Sequence, residues 1–209
     1  LSGNDVTVDM FANISKWDVE HIALAQLADL FVVAPATADI IGKVANGIAD
    51  DMLSTTIMAT KAKVLFVPSM NTNMYENPIV QANMEKLRSF GYEFVEPESG
   101  HLACNTSGKG RFPALETIMD CAEKCIYGRE LLKGKKVVVS AGGTQEKIDP
   151  VRYISNRSSG RQGYAIAKAA WMEGADVTLV SCTTALPAPY GVEMVYVQDA
   201  RVLEKAMTA

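Results

Sequence analysis

Four stretches of the chain carry residues that could do chemistry. His21 stands alone in Trp17-Asp-Val-Glu-His-Ile-Ala-Leu-Ala-Gln, on a segment readable as an amphipathic helix. An imidazole there could exchange a proton near neutral pH or donate to an anion; the alternative is a packed or surface histidine. Asn71, in Pro-Ser-Met-Asn-Thr-Asn-Met74, follows an apolar run directly. Its amide can grip a carboxylate through two donors, or it can simply close an Asx turn where a strand ends. Cys104 lies in Gly-His-Leu-Ala-Cys-Asn-Thr-Ser-Gly-Lys-Gly-Arg111, with Lys109 and Arg111 as cations that favour thiolate where space brings them close. A thiol on a glycine-rich loop can deliver a proton and retreat; an inert surface thiol fits the composition equally well. The fourth stretch, 142–163, sets Lys147, Arg152, Arg157 and Arg161 against Glu146 and Asp149 and adds serine hydroxyls and glycine amides ahead of a helix. Those are the parts of an anion or phosphate cradle. The spacing matches neither Gly-x-x-x-x-Gly-Lys-Ser/Thr nor a compact Gly-x-Gly-x-x-Gly.

The elements that must position these residues alternate between strand and helix. The apolar runs at 29–34 and 63–67, closed by Pro35 and Pro68, read as buried strands. Between them, Thr37 is a helix N-cap, Ile40, Ile41, Val44 and Ile48 fall at helical spacing, and Asn46-Gly47 divides the segment into two helices. Asn77-Pro78 opens a helix to about Ser89, Gly91 stops it, and 92–95 is extended. Residues 96–113 read as a long polar loop, and 115–130 as a helix on which Cys121 and Cys125 are packing residues. After a linker at 133–136, the strand 137–140 leads into the loop 142–160, a helix over 164–173, a strand over 176–181, a short extended stretch at 193–197 and a helix from 200. Residues 1–14 offer neither the opening strand nor the glycine-rich turn of an α/β nucleotide-binding domain, so the chain reads as cut at both ends.

Composition excludes several classes. Forty-eight per cent hydrophobic and 21% charged residues rule out disorder and collagen-like structure. No apolar run reaches the roughly 20 residues that span a bilayer, and no signal-peptide pattern opens the chain, so a cytoplasmic protein without membrane contact is expected. The net charge of −4 divides into an acidic portion before residue 134 and a slightly basic one after it, neither of which is a nucleic-acid-binding signature. Four cysteines without a Cys-x-x-Cys pair, and only two histidines, argue for reduced thiols and against a structural metal.

Two sets of motifs resemble the bifunctional coenzyme A biosynthesis family, in which phosphopantothenoylcysteine decarboxylase is fused to phosphopantothenate–cysteine ligase. Ala-Pro-Ala-Thr-Ala-Asp39, Ala-Asn-Gly-Ile-Ala-Asp-Asp51, Pro-Ser-Met-Asn-Thr-Asn-Met74 and Leu-Ala-Cys-Asn-Thr-Ser-Gly-Lys-Gly-Arg111 resemble the FMN-dependent cysteine decarboxylases. Ala-Gly-Gly-Thr144, Ile-Asp-Pro-Val-Arg152 and Ile-Ser-Asn-Arg-Ser-Ser-Gly160 resemble the ligase. Ser69 is a conservative departure from the family's Pro-Ala-Met-Asn. The resemblance implies an α/β fold, with a flavodoxin- or Rossmann-like three-layer parallel sheet over 1–132 and the start of a second Rossmann-like domain over 133–209.

It also implies roles. FMN would oxidise the substrate thiol to a thioaldehyde, decarboxylation would leave an enethiol, and 4′-phosphopantothenoylcysteine would become 4′-phosphopantetheine. The family's base matches His21, its carboxylate-holding asparagine matches Asn71, and its proton-donating cysteine matches Cys104. Ala34, Pro35, Ala36, Thr37 and Ala38 would lie against the flavin, and Met74, Lys109 and Arg111 would belong to the substrate site. In the ligase part, phosphopantothenate would be activated by CTP, with Mg2+, as an acyl-cytidylate that cysteine attacks. Asn156 would stabilise the acyl intermediate or its oxyanion, Arg152 would bind an anionic group, and Gly142, Gly143, Thr144, Ser158, Ser159 and Gly160 would form the cradle. A homo-oligomer sharing the flavin site between subunits is expected. The family's flavin-phosphate turn and later ligase loop are not in the sequence, so weakened flavin binding and no complete ligase reaction are expected. Two other readings are an NAD(P)-dependent reductase, against which the long Gly142-to-Gly160 spacing stands, and a non-catalytic nucleotide-binding or assembly module.

Overall fold

The computed structural model describes residues 3, 6, 7, 20–101, 107–182 and 184–208. The chain divides into two compact units, Leu1–Ile126 and Tyr127–Ala209. Each is α/β, and no helix among the described residues is long and apolar enough to cross a membrane.

In the first unit, helix α1 (Glu20–Leu27) precedes strand β1 (Leu30–Ala36), which runs into α2 (Ala38–Ala45) and α3 (Met52–Ala59). Strand β2 (Lys63–Pro68) follows, then the single turn α4 (Thr72–Tyr75), α5 (Pro78–Ser89), β3 (Glu93–Phe94), β4 (Glu98–His101), β5 (Ser107–Arg111) and α6 (Leu115–Tyr127). The sheet order is β1-β2-β3, all parallel, with Leu30 opposite Lys63 and Val33 opposite Phe66. The first strand does not end at Pro35 as its sequence suggests. Pro35 has no N–H for the ladder, and β1 takes in one extra residue there, so that Ala36 is opposite Pro68 and pairing continues.

The helices start where their caps dictate. Thr37 Oγ1 accepts from Ile40 N at 3.4 Å, and Asp51 with Ser54 forms a reciprocal capping box at the start of α3. Gly47, at φ +70°, breaks the chain between them, which leaves Ile48 outside both helices and about half exposed rather than on a helical face. Pro78 at the first position of α5 and the Asn77 cap bear out the helix start read from Asn-Pro. Ile40, Ile41 and Val44 of α2, Ile57 of α3, and Met84 and Leu87 of α5 bury their side chains with Val33, Val64 and Phe66 of the sheet. Phe66 is wholly inaccessible and its ring stacks on Phe94 at 5.2 Å between centroids. Burial of one such side chain stabilises the fold by about 1.5–3 kcal/mol.

The polar stretch 96–113 is not simply a loop. Residues 98–101 and 107–111 pair antiparallel, with Gly100 opposite Gly108. Glycine makes this ribbon possible, because a Cβ on Gly108 would stand 2.5 Å from Thr72 Oγ1 and one on Gly110 (φ +137°) would strike Met70 O.

The second unit comprises β6 (Lys136–Ala141), the antiparallel ribbon β7 (Gln145–Lys147) and β8 (Tyr153–Ser155), α7 (Arg161–Met172), β9 (Asp176–Ser181), β10 (Glu193–Tyr196) and α8 (Ala200–Thr208). Its sheet is parallel in the order β10-β9-β6. The stretch 142–160, read from sequence as a loop, therefore holds a short ribbon, turned by Asp149, whose Oδ1 accepts from the backbone N–H of Val151 and Arg152 at 2.9 and 2.7 Å. Tyr164, Ala167, Ala170 and Trp171 of α7 are buried, as Val177, Leu179 and Val180 are on β9. The Tyr164 hydroxyl and Ser181 Oγ, both buried, satisfy each other at 2.9 Å.

Candidate functional site

In the first unit the parallel strands deliver two backbone segments to one end of the sheet. The residues after β1 enter α2 through Thr37, and the residues after β2 enter α4 through Asn71. Ser69 N donates to Ala36 O at 3.1 Å, so the two segments lie side by side at the carboxyl ends of their strands.

On the β1 side, a cavity of about 570 Å³ is lined by Phe31, Pro35, Thr37, Ile40, Met52, Leu53 and Thr56, together with Asp39, Asp51, Leu24 and Thr7. Its size lies within the range of small-molecule and cofactor sites. Apolar side chains suit the faces of a flat ring system. The N-termini of α2 and α3 both contribute to the wall, which offers backbone N–H groups to a polar ring edge. These residues fit the ring system of a flavin. Of residues 34–38, Pro35 and Thr37 line the cavity, and Ala34, Ala36, which is fully buried, and Ala38 are not among the lining residues.

Lys43, in the last turn of α2, ties this wall together. Its ammonium lies 2.8 Å from Asp51, 2.9 Å from Asp50 and 3.7 Å from Asp39. The Lys43 hydrogen bond, with the Ser54 N–H next, holds the Asp51 carboxyl down to about 2, and hydrogen bonds from Asp51 and Asp50 hold Lys43 well above its ordinary range. Asp51 ends the motif Ala-Asn-Gly-Ile-Ala-Asp-Asp51, and its Asp-x-x-Ser spacing is the sequence sign that a helix starts at this cavity.

His21 sits on α1, with Leu24 one turn further along the same face reaching the cavity. Its Nδ1 is buried and has no hydrogen-bond partner among the described residues. Leaving such a group unpaired costs about 1–3 kcal/mol, which calls for an explanation beyond packing.

Asn71 caps α4. Its Oδ1 accepts from Asn73 N at 2.9 Å, and Tyr75 N donates to Asn71 O at 2.9 Å. The cap draws on Oδ1 and a carboxylate grip would draw on Nδ2, so the two readings of this residue are chemically compatible. Met74 is about half exposed on the same turn. Met70 N donates to Gly110 O at 3.1 Å, which sets β5 against this segment. Lys109 on β5 meets Glu96 at 2.8 Å and lies over the Tyr75 ring, 5.4 Å from its centroid. Arg111 reaches back along the ribbon toward Gly100. Cys104 lies outside the described residues.

The second unit has its own cavity, about 460 Å³, at the carboxyl end of β6 and the N-terminus of α7. Gly142, Ser158, Ser159 and Gly160 line it, together with Ser140, Ala141, Arg161, Gln162, Gly163 and Ile166. Gly142 (φ +85°) and Gly160 (φ +75°) adopt the left-handed conformation, and Gly160 caps α7 without a side chain of its own; Arg161 N donates to Ser159 Oγ at 3.5 Å, and Gln162 and Gly163 follow it along the cavity wall. The structure does not bring Gly143, Thr144, Arg152 or Asn156 into that lining. Gly143 and Asn156 instead touch each other, since a Cβ on Gly143 would lie 2.5 Å from Asn156 Oδ1, and that oxygen accepts from Ser158 N at 2.9 Å. Arg152 is exposed on the ribbon and held by Asp149 at 2.6 Å. Gly163 carried no sequence signal of its own beyond its place in the glycine-rich run.

Residues 1–127 match the family described as Flavoprotein, and residues 132–209 match the family described as DNA/pantothenate metabolism flavoprotein C-terminal domain. The coenzyme A biosynthesis bifunctional protein CoaBC of Bacillus subtilis (strain 168) is 46% identical over 99% of this chain and 52% of that protein. The protein of the same name from Vibrio cholerae is 42% identical over 99% of this chain and 52% of its own length. The chain thus spans about half the length of the curated relatives it matches. Among solved structures, a PPC decarboxylase mutant complexed with pantothenoylaminoethenethiol is 28% identical, with a TM-score of 0.52 over 56% of this chain and 68% of that one. The FMN binding protein AtHal3 is 29% identical, with a TM-score of 0.51 over 56% of this chain and 66% of that one. A parallel α/β unit with a ring-sized cavity, the family match over 1–127 and the similarity, along this chain's length, to about half of the bifunctional coenzyme A biosynthesis proteins agree that the chain belongs to the flavoprotein family.

Proposed function

We propose that the first unit is an FMN-dependent decarboxylase that converts 4′-phosphopantothenoylcysteine to 4′-phosphopantetheine in coenzyme A biosynthesis. The observation that carries this reading is the cavity lined by Pro35 and Thr37, with the Nδ1 of His21, which has no partner among the described residues, one helical turn from its wall. Pro35 and Thr37 would hold the ring system, with Phe31, Ile40 and Met52 excluding water from its faces. Bound FMN would supply an acceptor for the two electrons of the substrate thiol, which turns the neighbouring carboxylate into a group that can leave as carbon dioxide, and would give the same two electrons back to the product. His21 takes the thiol proton, a task suited to an imidazole near neutral pH. The Asn71 amide orients the carboxylate from the rigid turn it caps. Cys104 returns a proton to the product carbon, the role its family motif implies.

For the second unit the same reading gives a part in the CTP-dependent joining of cysteine to 4′-phosphopantothenate. Gly142, Ser158, Ser159, Gly160 and the first amides of α7 would hold phosphate of CTP with its Mg2+, and Asn156, fixed against Gly143, would face the acyl group. The decisive assay follows carbon dioxide and 4′-phosphopantetheine formed from 4′-phosphopantothenoylcysteine by the FMN-supplemented chain. Turnover that is lost in Asn71→Ala is the expected result, and an inert chain with bound FMN would overturn the reading.

A further inference from the structure

Segment 70–75 is pinned at both ends by one strand and one carboxylate. At its start, Gly110 O accepts from Met70 N at 3.1 Å. At its end, Tyr75 is buried, and its hydroxyl donates to Glu96 Oε2 at 3.1 Å. The same Oε2 accepts from Lys109 Nζ at 2.8 Å, and Lys109 also covers the Tyr75 ring. Glu96 Oε1 takes a third donor, Arg88 Nη2, at 2.8 Å, and Arg88 is itself seated on the Phe94 ring at 4.9 Å. Glu96 is thus the point at which α4, α5 and β5 are joined, and Asn71 lies between the two pins.

We propose that Glu96 and Lys109 are positioning residues that hold the Asn71 amide in register for the substrate carboxylate, and that Lys109 acts through Glu96 rather than by touching substrate. This rests on the decarboxylase reading of the first unit. The protonation states support the geometry: burial alone would raise the Glu96 carboxyl, but the Lys109 hydrogen bond and charge, with Tyr75 and Arg88, outweigh it and hold Glu96 below the usual carboxylate range. The hydrogen bond to Glu96 raises Lys109 correspondingly.

Magnitudes separate positioning from bulk stability. Both side chains are partly exposed, and exposed ion pairs contribute little to folding. A displacement of about 1 Å in a group that orients substrate can nevertheless cut turnover by up to about a hundredfold. Removing the latch should therefore leave the unfolding temperature nearly unchanged while it impairs the reaction.

The test is a double-mutant cycle on the whole FMN-supplemented chain with Glu96→Ala, Lys109→Met and both together, reading kcat and KM separately, with Lys109→Arg as the conservative variant. Each single substitution is expected to lower kcat/KM about tenfold, the double to be no worse than either, and Lys109→Arg to retain activity. Additive losses, or a Lys109→Met defect with Glu96→Ala unaffected, would overturn the proposal in favour of direct substrate contact. Amide hydrogen exchange at Asn73 and Tyr75 in the same variants tests the latch without turnover. Faster exchange at both in each single variant supports it, and unchanged exchange overturns it. A wild-type chain without decarboxylation but with exchange that responds as expected would instead count against the decarboxylase reading alone.

Discussion

Gly163 offers a test of the second cavity that depends on a contact rather than on chemistry. It is the third residue of α7, and a Cβ added there would lie 2.6 Å from the Ala141 Cβ, 2.7 Å from Ser140 O and 3.1 Å from the Ala141 Cα. Carbon atoms pack at about 3.5–4.0 Å, so Gly163→Ala must push α7 off β6 by about 1 Å. Overpacking of that kind costs about 1–3 kcal/mol, and the better helix propensity of alanine returns about 0.5–1 kcal/mol of it. A net loss of about 1–2 kcal/mol lowers the unfolding temperature of a unit this size by about 5–15 °C. The shift also carries the α7 amides away from Gly142 and Ser158, so nucleotide phosphate should bind more weakly. Gly42→Ala is the control: it lies within α2, and its Cβ would meet only Asn83 Nδ2 at 3.8 Å. There the same substitution should stabilise by about 0.5–1 kcal/mol. Calorimetry of the two variants reads both signs, and a Gly163→Ala protein that melts at or above the wild-type temperature would refute the close helix–strand contact.

Three further outcomes follow from named groups. Asp51 is held at about 2 by Lys43 and then Ser54, against an ordinary value of 3.8, so its contribution to stability is complete above pH 3.8 and is lost as pH falls toward 2; acid titration of the unfolding midpoint should show that loss, and Asp51→Asn should flatten it while keeping the cap. Asn71→Asp retains the Oδ1 that caps α4 but replaces donors with a carboxylate that repels the substrate's own; decarboxylation should fall at least tenfold with the melting temperature almost unmoved. Burial, with the neighbouring Cys125 next, pushes the Cys121 thiol up to about 12, so a thiol reagent at pH 8 should modify it only after denaturant is added, as mass spectrometry of the labelled peptides would report.

Much of this architecture was legible in the residues, and the exceptions have physical causes. Helix starts at Thr37 and Asn77 and stops at Gly47 and Gly91 were readable because caps and left-handed glycines act over three or four residues. The strand end at Pro35 was misplaced because a proline usually closes a ladder, whereas here an extra residue in β1 absorbs the missing donor. Neither ribbon is legible in the sequence: the first is built of glycine and polar residues, and the strands of the second are only three residues long, too short for apolar alternation to show; Gly108 and Gly110 are selected by the approach of Thr72 and Met70, which lie more than thirty residues away in sequence. Asn71 and its capping role are legible in the sequence, but the partners that hold its turn, Glu96 and Lys109, are joined only in three dimensions. Pro35 and Thr37 meet the cavity; Phe31, Met52 and Thr56 were hidden among ordinary core residues until the fold assembled them. In the second unit Gly142, Ser158, Ser159 and Gly160 converge, whereas Gly143 and Thr144 stand outside the lining and Arg152 is held on the ribbon by Asp149.

The central claim is that a flavin occupies the cavity lined by Pro35, Thr37 and Leu53. Titrating FMN into the purified chain, and into Leu53→Trp, while following quenching of flavin fluorescence tests it most directly. Leu53 is partly exposed at the cavity wall, so the larger indole fills the space without disturbing the buried core. The account predicts saturable quenching with one FMN per chain in the wild type and its loss in the folded variant. Equal binding by both, or no quenching by the wild type, would contradict it.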